Sequence, residues 1–87
     1  MKKFKSIKSY EKMLNEFCNE EDNVNVIEDL KEFVKNDKFV IYDMVSDGLS
    51  DDDVIFVREK YYLICQRYEG CKFIEIEKDE FEDMCEF

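Results

Sequence analysis

The fold turns on the stretch Val54-Ile55-Phe56-Val57-Arg58-Glu59-Lys60-Tyr61-Tyr62-Leu63-Ile64-Cys65-Gln66-Arg67-Tyr68-Glu69-Gly70-Cys71-Lys72-Phe73-Ile74-Glu75-Ile76-Glu77. Val54 to Arg58, Tyr61 to Tyr68 and Cys71 to Glu77 are rich in β-branched and aromatic residues, with short breaks at Glu59-Lys60 and Glu69-Gly70. Runs of this kind read as strands, and two-residue breaks read as hairpin turns. Pairing across the first turn predicts Phe56 opposite Leu63 and Val54 opposite Cys65. Pairing across the second predicts Leu63 opposite Ile76 and Cys65 opposite Ile74. One face then carries Val54, Phe56, Leu63, Cys65, Ile74 and Ile76, all apolar. The other carries Ile55, Val57, Tyr62, Ile64, Gln66, Phe73 and Glu75, which is mixed. Side chains alternate along a strand, so this segregation supports an antiparallel meander.

Working outward, Lys38 to Val45 also alternates and predicts a fourth strand, joined to the meander by the loop Ser46-Asp47-Gly48-Leu49-Ser50-Asp51-Asp52-Asp53. Further upstream the period changes from 2 to 3.6. Tyr10, Met13, Leu14, Phe17 and Cys18 fall on one stripe of a helix beginning near Ser9. Glu20-Glu21-Asp22-Asn23 interrupts it. A second helix begins near Asn25, which forms a capping box with Glu28, and it carries Ile27, Leu30 and Val34 with Phe33 at the margin. Asn36-Asp37 ends it. Lys78 to Phe87 predicts a terminal helix with Asp79 as cap, Glu82 three positions on, and Phe81, Met84 and Cys85 as its apolar stripe. The expected fold is α+β, in the order ααββββα: two N-terminal helices packed on the apolar face of a four-stranded antiparallel meander, plus a short C-terminal helix. The mixed face, with Tyr62, Ile64 and Phe73, is left for the terminal helix, a partner or a second copy in a homodimer.

The chain has 87 residues, which suits a single domain spanning 1–87. Residues 1–8 are basic and are expected to fray. Five lysines (Lys2, Lys3, Lys5, Lys8 and Lys12) stand in the first twelve residues against Glu11 alone. No apolar run follows them of the kind a secretion signal needs, no segment has the length of a membrane span, and no lipidation motif is present. A cytoplasmic protein is expected. Cys18, Cys65, Cys71 and Cys85 are too widely spaced for a zinc site, and a reducing compartment disfavours disulfides, so they read as small apolar residues.

Most chemistry is excluded by what is missing. With no histidine, a cysteine nucleophile lacks its usual base. Two glycines cannot build a phosphate loop. The loop from Asp43 to Val54 resembles an EF-hand only at Asp47-Gly48, and fails at Val45 and Val54. Paired carboxylates are plentiful, yet a catalytic pair needs a cleft that splits their pKa values. No enzyme activity, metal or cofactor is expected. A formal net charge of −10 also opposes direct nucleic-acid binding.

The informative feature is how the acid is distributed. Asp47, Asp51, Asp52 and Asp53 share one loop. Glu75, Glu77, Asp79, Glu80, Glu82, Asp83 and Glu86 run along the last strand and helix, opposed in sequence only by Lys78. Carboxylates at strand and helix spacings lie roughly 5–7 Å apart and present a focused negative surface. Such a surface accelerates encounter with a basic cleft, at the cost of self-repulsion. Tyr68 and Glu69, at a hairpin tip, are suitable anchors because tyrosine is enriched at binding hot spots. The candidate partner-binding residues are therefore Asp47, Asp51, Asp52, Asp53, Tyr68, Glu69, Glu75, Glu77, Asp79, Glu80 and Asp83.

In size, charge and lack of catalytic residues the chain resembles the small acidic phage proteins that block host defence nucleases, the anti-CRISPR and anti-restriction inhibitors. Asp47, Asp51 to Asp53 and Glu75 to Glu86 carry the likeness. Lysine outnumbers arginine eleven to two, as in the proteins of AT-rich genomes such as low-GC bacteria and their phages. The resemblance implies an inhibitor that occupies the basic nucleic-acid channel of a nuclease and excludes its substrate. An immunity protein or antitoxin facing a basic toxin has the same signature. A regulatory subunit would instead dock through the mixed sheet face.

Overall fold

A computed structural model describes residues 2–17, 20–44, 53–67 and 70–85. The elements are β1 (Lys2–Phe4), α1 (Ile7–Phe17), α2 (Glu20–Val34), β2 (Phe39–Asp43), β3 (Asp53–Val57), β4 (Lys60–Arg67), β5 (Gly70–Ile76) and α3 (Lys78–Cys85). The strands form one sheet in the order β1-β2-β3-β4-β5, every pair antiparallel. The α+β class and the meander are as expected. The strand count and order are corrected to five strands in βααββββα. The additional strand comes from the basic segment expected to fray: Lys2, Lys3 and Phe4 pair with Asp43, Tyr42 and Ile41.

Local chemistry explains where the elements begin and end. Ser6 caps α1, with the Ser9 amide donating to its Oγ at 3.2 Å. Tyr10 and Leu14 are buried, with Ile7 and Met13 beside them. The acidic run expected to separate the helices is itself the first turn of α2, which starts at Glu20 rather than near Asn25. Glutamate is a good helix former, and carboxylates suit the positive end of the helix dipole. Val26, Ile27, Leu30 and Val34 form the buried stripe of α2. Burying each is worth about 1.5–3 kcal/mol. Lys35 ends the helix in the left-handed region, at φ 54.

Both predicted hairpin registers are displaced by two residues. The first turn is Arg58-Glu59, with φ of 52 and 66, so that Val57 pairs with Lys60 and Val54 with Leu63. Positive φ at both positions matches the twist of a two-residue hairpin. In the second hairpin Arg67 pairs with Gly70, placing Leu63 opposite Ile74 and Tyr61 opposite Ile76. A slip of two preserves parity, so the face assignments survive although every partner changes.

The layers are the reverse of those expected. α1 and α2 cover the face bearing Ile41, Ile55, Val57, Tyr62, Ile64 and Phe73, the one read as mixed. α3 packs on the opposite face, against Met44, Val54, Tyr42, Tyr61 and Leu63. Glu75 does not keep the first face wet, because it lies on edge strand β5 and pairs outward with Lys60 at 3.2 Å. Phe33 of α2 stacks on Phe73 with centroids 4.0 Å apart and meets Tyr62 edge-on at 5.0 Å. The face suggested for a homodimer or a regulatory partner is thus occupied by the chain's own helices.

Candidate docking surface

The acidic ridge is built by the end of β5 and by α3. The Phe81 amide donates to the Glu77 carbonyl at 3.1 Å, so the helix begins directly off the strand and Glu77, not Asp79, stands at its cap position. Phe81 is buried between Tyr61 (4.4 Å, stacked) and Tyr42 (4.8 Å), and Met84 is half-buried one turn later. With that side pinned to the sheet, Asp79, Glu80, Glu82 and Asp83 are all exposed. Asp79 and Asp83 are one turn apart and Glu80 and Asp83 three residues apart, so their carboxylates share one helix flank. Glu75 and Glu77 are exposed on the preceding strand.

The ridge is partly neutralised at its base and bare at its crest. Lys60 pairs with Glu75, a cross-strand contact that the sequence reading missed because it needs the true register. The Glu75 hydrogen bond and charge raise the pKa of the Lys60 ammonium. Lys78 reaches Glu82 at 3.9 Å along the helix. Among the described residues no ion pair engages Asp79, Glu80 or Asp83.

Asp53 is a different kind of residue. The Tyr10 hydroxyl donates to its Oδ2 at 2.6 Å, and the Met44 amide donates to its Oδ1 at 3.3 Å. It ties α1 to the start of β3 and to the chain leaving β2. Tyr10 is fully buried, and that burial, followed by the charge and hydrogen bond of Asp53, pushes its phenol well above its ordinary pKa of 10.0. Asp53 therefore holds the fold together, which the acidic run around it conceals. Asp47, Asp51, Asp52, Tyr68 and Glu69 lie outside the described residues.

A second feature escaped the sequence. Arg58, on the left-handed turn, donates to the Phe33 carbonyl at 3.1 Å and to Asp37 at 3.0 Å, and its guanidinium sits 5.0 Å from the Phe33 ring centroid. It caps the C-terminus of α2. Beside it opens a cleft of about 630 Å³, lined by Asp29, Glu32, Phe33, Cys71 and Phe73 among others. Asp29 accepts the Cys71 amide at 3.0 Å, fastening α2 to strand β5. Cys65 is buried and Cys71 half-buried, and neither forms a disulfide among the described residues. Among the described residues no three His, Cys, Asp or Glu side chains converge to hold a metal ion, and no helix is long and apolar enough to cross a membrane. No family model, curated protein or solved structure matches the chain.

Proposed function

We propose that the chain is a small acidic inhibitory binding protein that docks its α3 ridge on the basic nucleic-acid-binding surface of a nuclease and blocks access of the substrate. The observation that carries this reading is the bare crest: Asp79, Glu80 and Asp83 are exposed, lie on one flank of a helix anchored by Phe81, and make no ion pair among the described residues. A helix fixed on its apolar side presents its charges without losing much conformational freedom on binding, which favours affinity as well as encounter rate. Long Arg and Lys side chains of a nucleic-acid channel match the spacing of such a row. Glu75 and Glu77 extend the negative field onto β5, and Asp47, Asp51 and Asp52 belong to the same proposal.

The test combines capture, competition and inhibition. The wild-type chain and the triple variant Asp79→Asn, Glu80→Gln, Asp83→Asn are immobilised and exposed to bacterial lysate at low and high salt. The captured nuclease is then assayed with and without its nucleic acid as competitor. Salt-sensitive capture by the wild type, its loss in the variant, and displacement by nucleic acid are expected. Binding that nucleic acid fails to displace would point to an immunity protein instead. Equal capture by both proteins would remove the ridge from the interface.

A further inference from the structure

α3 leaves one margin of its sheet face uncovered. Val40, Phe56, Tyr61 and Ile76 are successive cross-strand neighbours from β2 to β5, forming one row across the sheet. Two hollows flank this row and meet at Phe56, one of about 560 Å³ and one of about 410 Å³. Phe56 is half-buried, its ring 4.6 Å from that of Tyr61. Val40 is also half-buried. Tyr61 and Ile76 also pack against Phe81 of α3, so the open part of this apolar strip is Val40 and the Phe56 ring.

The ends of the strip differ in sign. Lys5 and Lys38 line the first hollow together with Asp37, whose carboxylate is held by Arg58. Glu59, Glu75 and Glu77 line the second with Lys60 and Lys78, and those lysines are engaged by Glu75 and Glu82. Among the described residues no ion pair engages Lys5 or Lys38 at one end or Glu59 at the other, and Glu77, whose charge also acts on Lys60, adds to the negative end. A two-fold axis through Phe56 superposes each end on its opposite, which is the self-complementarity an isologous interface requires.

We infer that this strip is a homodimer interface, with Phe56 against Phe56 of a second copy and Lys5 and Lys38 facing Glu59 and Glu77 across the axis. A second copy of the chain satisfies both ends of the strip at once. Asp79, Glu80 and Asp83 line neither hollow, so the dimer displays two α3 crests, while Glu77 is a dimer contact and is not displayed with them.

The experiment is sedimentation equilibrium on the full chain at physiological salt, where the Debye length of about 8 Å screens the net charge but not contacts between opposed side chains. The wild type is expected to shift from one chain to two as concentration rises. Reversing one end (Lys5→Glu with Lys38→Glu) or the other (Glu59→Lys with Glu77→Lys) should each weaken the dimer at least about tenfold. The fourfold variant, which restores opposite signs, should recover it. An equimolar mixture of the two reversed variants should form a heterodimer. All are exposed positions, and circular dichroism melts confirm folding. A wild type that stays monomeric, a dimer indifferent to the reversals, or reversals that the fourfold variant fails to rescue would each overturn the inference.

Discussion

Replacing Tyr10 by Phe removes one oxygen from a fully buried side chain of α1, and its effect should be large for so small a change. The lost bond is short, at 2.6 Å, and its acceptor is a carboxylate. A hydrogen bond to a charged group contributes about 1.5–3 kcal/mol. A domain of this size has roughly 4–13 kcal/mol of stability in total, so a loss near 2 kcal/mol should lower Tm by roughly 8–16 °C. Asp53→Asn keeps the shape but removes the charge, and should cost about 1 kcal/mol. Urea titrations of both single variants and the double variant give the coupling directly, expected at about 1 kcal/mol or more. The pH profile supplies an independent readout. Because folding raises the Tyr10 pKa, its contribution is intact below pH about 10 and is lost as the pH rises further. The wild type should therefore lose about 1.4 kcal/mol more per pH unit than Tyr10→Phe in that alkaline range. A Tyr10→Phe loss under about 0.5 kcal/mol, or an Asp53→Asn variant more stable than the wild type, would refute the bond as a fold-holding contact.

Three further outcomes are expected. Glu59→Gly should raise Tm, since φ of 66 costs a non-glycine residue about 1 kcal/mol, and thermal melts will show whether that strain exists. Phe81→Ala should cost about 3–5 kcal/mol in urea unfolding and free α3, seen as faster amide exchange across residues 78–85 than in α2. Arg58→Ala removes the α2 cap, the Asp37 pair and the contact with Phe33, and should cost about 1 kcal/mol by the same assay, only part of it abolished by salt.

The strands and the alternation within them are readable from residues 54–77 because period 2 reports parity. Parity alone does not report register. Slips of two residues leave the same side chains on the same faces, and what distinguishes them is the turn conformation at Arg58-Glu59 in one hairpin and the pairing of Arg67 with Gly70 in the other. The choice of face for α1 and α2 was misread for a related reason. Glu75 and Gln66 made one face look wet, but Glu75 sits on an edge strand, where a charged residue can turn outward. β1 was hidden because three residues give no periodicity, and its lysines suit an edge strand as well as a solvated tail. The exposed acidic flank of α3 was legible from helix spacing alone, since Phe81 and Met84 fix which side faces the sheet. Asp53 was not, because its partner Tyr10 is 43 residues away and nothing local separates it from its acidic neighbours.

That contrast supplies a criterion for sorting the acidic residues of a chain with a formal net charge of −10. Asp29, Asp37, Asp53 and Glu75 each hold a named donor: a strand amide, a guanidinium, a buried phenol, an ammonium group. Asp79, Glu80 and Asp83 make no ion pair among the described residues and repel one another along a helix flank. Neutralising Asp83 should leave stability unchanged or raise it by a few tenths of a kcal/mol, since it relieves self-repulsion, whereas Asp79 and Glu80 stand in the first turn of α3, where the helix dipole offsets that relief. For Asp29 and Asp53 in the first set, neutralisation should lower stability, because it weakens a part-buried bond that spans two elements. The sign and size of the stability change, measured one carboxylate at a time, thus separate acid that maintains the fold from acid free to meet a partner. If neutralising Asp83 destabilises the protein, or neutralising Asp79 or Glu80 costs more than the roughly 0.3–1 kcal/mol of a helix-dipole contribution, that residue belongs to the first group and leaves the proposed docking surface.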